Sequence, residues 1–189
     1  VLSRGGWLLF VVAGGVFVAA DDQTSVVTVL PSMLRDAGIT IDEFYRSSWI
    51  VNGYLLGYIV ALPLVGRIAD VYGHARVYAA SLAVFILGSV LVASAEGFGW
   101  LIAARALQAV GGGAVVPVAM AIVVDELPAS RRVLGLGAIA AASEAGALIG
   151  PLWGGGITEL WGWRWVFWVN VPMAAPFMLA AWQLAGREV

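Results

Sequence analysis

The 189-residue chain is 61% hydrophobic and only 12% charged, with a mean hydropathy of +0.93, a balance that excludes a water-soluble fold. Its ten basic residues, all arginine, face twelve acidic ones, and the net charge of -2 lacks the basic excess that a nucleic-acid partner requires. With no cysteine and with His74 as the only histidine, disulfides and thiolate sites are excluded, and no metal or cofactor is expected.

A helix that crosses the hydrocarbon layer takes about 20 mostly apolar residues. The weakly charged stretches accordingly divide the chain into six spans, 7–31, 47–66, 77–95, 98–124, 133–158 and 165–186. One all-α membrane domain, a six-helix bundle, accounts for the whole chain. The first span carries two acids inside apolar sequence, where each ionisable group is a functional candidate by default. Gly14, Asp21, Thr24, Ser25 and Thr28 share a stripe at helical spacing, the pattern of a helix that lines an aqueous cavity. Asp22 points about 100° away, toward Val18, Val26 and Val29, so periodicity favours Asp21 as the cavity residue.

The segment 32–46, with Asp36, Gly38, Asp42 and Glu43, reads as a solvated loop. In the second span Gly53 and Gly57 make a short smooth face. Beyond it Gly66, Asp70, Gly73 and Arg76 mark a tight turn in which two glycines bracket an acid. The fourth span contains Arg105, about 10 Å below Phe98 in one direction, while Asp22 lies about 22 Å along the first span from Trp7 in the other. Across a core of roughly 30 Å the two reach similar depth, and an unpaired arginine there carries a large desolvation cost. Direct contact between Arg105 and Asp22 is therefore expected. Gly111 to Gly113 are expected to loosen the span just beyond Arg105.

The fifth span holds Glu144, about 16 Å from Val133 and so near the midplane, where a carboxylate could exchange a proton. Gly146, Gly150 and Gly154 recur every four residues beside Pro151, a smooth face that lets another helix approach closely. A half bundle has no obvious internal need for such a stripe, so it is expected to pack against a second half or subunit. Glu144, about 200° from Gly146, then faces the bundle or its cavity. Arginines alternate between the connecting segments: Arg4, Arg67, Arg76, Arg131, Arg132 and Arg187 fall on one side, and Arg35, Arg46 and Arg164 on the other. That asymmetry puts both termini in the cytoplasm, and tryptophans such as Trp7, Trp49, Trp100 and Trp161 near the span ends agree with the boundaries.

Five segments carry a family resemblance. The run Gly66-Arg67-Ile68-Ala69-Asp70-Val71-Tyr72-Gly73-His74-Ala75-Arg76 resembles the loop between the second and third spans of the major facilitator superfamily, with Val71, His74 and Ala75 where basic residues are usual. Leu101 to Gly111, containing Arg105 and Gln108, resembles the fourth-span motif of proton-coupled members, with Ala109 for a usual glycine. Gly146-Ala147-Leu148-Ile149-Gly150-Pro151-Leu152-Trp153-Gly154-Gly155 is similar to the fifth-span motif of the antiporters. Asp22 to Pro31, departing at Val27, and Trp163 to Pro172, containing Asn170, resemble motifs of the fourteen-helix drug:proton antiporter branch.

The resemblance implies the N-terminal six-helix half of a transporter, itself two inverted three-helix repeats, in a bacterial cytoplasmic membrane. Its implied partners are the lipid bilayer, protons, a small-molecule substrate and a C-terminal half or second subunit. It implies proton-coupled efflux with Asp22 and Arg105 in proton coupling; the three embedded acids against one arginine add Asp21 and Glu144 to the proton-coupling candidates and favour an amphipathic or cationic cargo, with Thr24, Gln108 and Glu144 as the candidates toward substrate. The motif register favours Asp22 where the periodicity favours Asp21. Gating and helix packing fall to Gly66, Asp70, Gly73, Arg76, Gly146, Gly150, Pro151, Gly154 and Gly155, with only Asp70 and Arg76 remaining for a charge relay. A rival reading is a structural or assembly subunit that has kept the fold and lost transport. An enzyme is not expected, because no Ser-His constellation or metal cluster lies within the spans.

Overall fold

The computed structural model describes residues 4–38 and 48–186 of the chain, and these form six helices. They are α1 (Arg4–Asp36), α2 (Ser48–Tyr72), α3 (His74–Ala93), α4 (Phe98–Glu126), α5 (Ala129–Trp161) and α6 (Arg164–Ala185). All six are long and apolar enough to cross a membrane. The expected loop differs from the structure at its start, since α1 continues through Pro31 to Asp36. Proline removes one hydrogen bond, but burial of Met33 and Leu34 and the ties of Asp36 to α6 hold the last turn in place. Asp42 and Glu43 lie outside the described residues.

Two of the reversals use a residue that only glycine fills without strain: Gly73 between α2 and α3 has φ 92°, and Gly162 between α5 and α6 has φ 91°. The packing has an internal two-fold pattern. Helix α1 lies along α5 as α4 lies along α2, α3 packs on α4 as α6 packs on α1, and α3 meets α6. Exchanging α1–α3 with α4–α6 leaves this set unchanged, and because α1 and α4 cross in opposite directions the two repeats are inverted.

Two apolar clusters fill the ends of the bundle. Val12, Val16, Tyr78, Leu82, Val115 and Ile122 pack together at the end where α1 begins, with the Tyr78 hydroxyl donating to the Val12 carbonyl at 2.8 Å. Val29, Met33, Ile50, Val92, Leu101 and Phe167 pack at the other. The buried polar residues Asp22, Ser89, Arg105, Gln108 and Asn170 lie between them.

The glycine stripe of α5 has a partner inside this half, contrary to the expectation from its spacing. Gly146, Gly150 and Gly154 are buried against α1: a Cβ on Gly150 would overlap Thr24 Oγ1 and the Asp21 carbonyl, and one on Gly154 would come to 2.8 Å from Ser25 Cβ. The physical reason lies in α1, whose small polar stripe is itself smooth. Its hydroxyls return hydrogen bonds to their own helix, Ser25 to Asp22 at 3.1 Å and Thr28 to Ser25 at 2.8 Å, so the face needs no water. The cavity reading of that stripe is corrected on the same ground. Gly111 to Gly113 are buried without interrupting α4, and Gly111 lets the backbones at Ser81 and Phe85 of α3 approach. Gly155 borders open space.

Gly150→Leu should therefore destabilise the protein by at least about 1–3 kcal/mol, the usual cost of overpacking. Thermal unfolding in detergent should show a lowered Tm for this variant and an unchanged one for Gly155→Leu. Equal midpoints for the two would contradict the α1–α5 contact.

Candidate functional site

Midway along the bundle a carboxylate, a guanidinium and two amides meet with essentially no exposure to solvent. Asp22 comes from α1, Arg105 and Gln108 from α4, Ser89 from α3 and Asn170 from α6. Arg105 and Gln108, three residues apart, share one helical face, and Arg105 donates through one terminal nitrogen to Asp22 Oδ2 at 2.9 Å and Gln108 Oε1 at 2.6 Å. The other Asp22 oxygen accepts from Gln108 Nε2 at 3.0 Å and Asn170 Nδ2 at 2.7 Å. Ser89 Oγ accepts from Gln108 at 2.8 Å and donates to the Phe85 carbonyl.

Aromatic rings complete the shell. The Arg105 guanidinium lies 4.5 Å from the centroid of Tyr54, on α2, and 5.5 Å from that of Phe167, whose negative ring faces attract a cation removed from water. Arg105 Nε is buried without a hydrogen-bond partner. One carboxylate and one guanidinium balance each other in charge within the cluster.

The expected Asp22–Arg105 contact is thus present. Asp21 is also buried, at 2% exposure, but its carboxylate makes no hydrogen bond or ion pair among the described residues. Gln108 sits wholly inside the cluster as a link between Asp22 and Ser89. Thr24 faces Gly150 and returns its hydroxyl to the Ala20 and Asp21 carbonyls at 3.3 Å. Glu144 is exposed on the side of α5 away from α1, apart from the cluster and without an ion pair among the described residues. Asn170 appears in the sequence reading only within the Trp163–Pro172 motif, without a role of its own, and Ser89 and Tyr54 are not singled out there. An amide and a hydroxyl within apolar spans would have signalled the first two, whereas nothing in the sequence distinguishes Tyr54 from other aromatics.

At the end of the bundle where α2 turns into α3, the expected Asp70–Arg76 relay is replaced by another set of contacts. His74 Nδ1 lies 2.8 Å from Asp125 on α4, and its Nε2 lies 3.6 Å from Asp70. Arg76 is exposed and in no ion pair among the described residues, because the first turn of α3 turns it outward and brings His74 toward α4. Gly73 supplies the turn. Gly66 is exposed, with nothing against it, and Pro151 lies within an unbroken α5.

Comparison with known proteins agrees with this architecture. The family model described as Major Facilitator Superfamily matches residues 12–188. A triacylglyceride transporter of Mycobacterium tuberculosis is 42% identical over 184 residues, covering 93% of this chain and 35% of the relative. One from Mycolicibacterium hassiacum is 41% identical over 177 residues, covering 91% of this chain and 32% of the relative. The chain therefore spans about a third of the length of these curated relatives. Among solved structures, a bacterial homolog of the human lysosomal transporter Spinster, inward-facing and unoccupied, superposes with a TM-score of 0.77 at 18% identity, over 97% of this chain and 43% of that one.

Removing Arg105 alone should leave Asp22 buried without its cation, at a cost of about 3–5 kcal/mol. Arg105→Leu is expected to lower the Tm strongly, and adding Asp22→Asn should recover at least half of the loss, since the amide oxygen still accepts from Gln108 and Asn170. Strictly additive losses in this double-mutant cycle would show that the two charges do not depend on each other.

Proposed function

The chain belongs to the major facilitator superfamily, and from that premise we propose that it forms the N-terminal half of a proton-coupled exporter of lipophilic, amphipathic small molecules. The observation that carries the proposal is the Asp22 carboxylate, fully buried and held simultaneously by Arg105 and Gln108 of α4 and Asn170 of α6. A proton on Asp22 cancels the charge that compensates Arg105. The guanidinium then favours any arrangement of α4 against α1 that gives it water or another acceptor. Protonation and helix arrangement bias each other, which is the linkage that exchange of a proton for a cargo requires. Export follows when the proton enters from the outer side and cargo and proton favour opposite arrangements.

A lipophilic cargo is supported by the mycobacterial relatives named triacylglyceride transporters, and by a cluster whose own charges already balance. The arginine asymmetry supports an orientation with both termini on the cytoplasmic side of a bacterial cytoplasmic membrane. A C-terminal half or second subunit would complete the pathway. One observation favours a second reading, export of cationic amphipaths: Asp21 is a buried carboxylate with no cation beside it among the described residues.

The test is gradient-driven export from vesicles containing the complete reading frame that encodes this chain, with a fluorescent acylglycerol and a lipophilic cation as cargoes. Acylglycerol export should follow an imposed proton gradient, and Asp22→Asn should reduce that gradient response to the level of protein-free vesicles while Asp21→Asn retains it. An unchanged gradient response in Asp22→Asn would contradict the proton role. Export of the cation alone, lost in Asp21→Asn, would favour the second reading.

A further inference from the structure

At the end of the bundle opposite the termini, the last turn of α1 meets the corner between α5 and α6 around a cavity of about 340 Å3. Two guanidiniums and one carboxylate line it. Asp36 is held there through one oxygen: Arg164 donates to its Oδ2 at 2.6 Å and the Trp163 indole donates to the same oxygen at 2.9 Å. Arg164 spends its second terminal nitrogen on the Ala95 carbonyl at 3.1 Å and lies over the Trp163 ring, 4.4 Å from its centroid. Arg35 donates to Ser32 Oγ at 3.0 Å, within its own helix. The charges of the described residues that line the cavity therefore sum to one positive, and that surplus is carried by the exposed Arg35.

The remaining lining is suited to an amphipathic ligand. Trp161 and Trp165, 64% and 52% exposed, border the cavity with broad apolar rings that each carry one N–H donor. Thr158, whose Oγ1 is buried without a partner, lies beside them. Indoles at span ends belong to the headgroup layer of a bilayer, so this cavity opens at the depth where lipid phosphates lie. A guanidinium matches a phosphate in both charge and geometry.

We propose that this cavity is a docking site for the phosphodiester of an anionic glycerophospholipid, with Arg35 binding the phosphate and Trp161 and Trp165 lying against the glycerol and the first carbons of the acyl chains. A net charge of one positive favours a headgroup without its own amine. The site is separate from the Asp22 cluster. It rests only on the chain crossing a membrane, so it stands whether or not the proton-coupled reading does.

Native mass spectrometry of the complete transporter in detergent tests it, with phosphatidylglycerol, phosphatidylcholine of the same acyl chains and soluble glycerol phosphate as probes. Phosphatidylglycerol should bind in preference to phosphatidylcholine, and Arg35→Gln should weaken it about tenfold, as loss of one charge-assisted hydrogen bond implies. Arg35→Lys, which keeps the charge but not the planar fork, should bind between the unaltered protein and Arg35→Gln, and Trp161→Ala should weaken both lipids. Arg67→Gln, an exposed arginine toward the other end of the bundle, should change nothing. Equal affinity for the two lipids, equal binding of glycerol phosphate, or phosphatidylglycerol binding unchanged in Arg35→Gln would each overturn the proposal.

Discussion

An ion pair that cannot reach water sets the terms for the rest of this bundle. Asp22 and Arg105 come from different inverted repeats, and each would be severely destabilising alone in the hydrocarbon layer. Their contact is tolerable because Gln108 and Asn170 donate to the second Asp22 oxygen, Ser89 anchors the Gln108 amide, and Tyr54 and Phe167 cover the guanidinium. The backbone spacing that allows this depends on residues without side chains. Gly88 on α3 abuts the Gln108 backbone so closely that a Cβ would collide with it, and this approach puts Ser89 within reach of the Gln108 amide. Apolar clusters on either side then keep the polar layer dry.

The ends of the bundle are held differently. Asp36 with Arg164, and His74 with Asp125 and Asp70, are partly exposed contacts that join elements of both repeats. Exposed pairs of this kind contribute little to stability. Their consequence is geometric: each fixes where a helix end lies relative to its neighbours while the central cluster decides how the helices pack through the membrane. Movement about the centre would have to loosen one end contact or the other.

Six spans and their order were legible because hydrocarbon tolerates so few charges that each interruption stands out, as Arg105 and Glu144 do within otherwise apolar runs. The Asp22–Arg105 contact was legible for the same reason, from matched depth and the cost of leaving either alone. What periodicity could not supply was the identity of a face's neighbour. Asp21, Thr24, Ser25 and Thr28 do share a stripe, and so do Gly146, Gly150 and Gly154, but small polar residues suit a water-filled cavity and a close helix contact equally well. These two stripes face each other. Ser89 was passed over and Asn170 was given no role beyond its motif because a search for charge passes over neutral hydrogen-bonding groups, although four of the contacts in the cluster are made by neutral side-chain donors. His74 was read as a departure from a basic pattern, and its contact with Asp125 depends on how α4 ends, which no local motif records.

In the proposed mechanism Asp22 is the carboxyl whose protonation is tied to the arrangement of the helices. Infrared difference spectra of the complete transporter in lipid, recorded between acidic and alkaline buffer, observe that event directly through the protonated-carboxyl stretch. A band is expected that disappears in Asp22→Asn, persists in Asp21→Asn and shifts in Asn170→Ala as its hydrogen bonding changes. A band that survives Asp22→Asn unaltered and is lost in Asp21→Asn would contradict the mechanism.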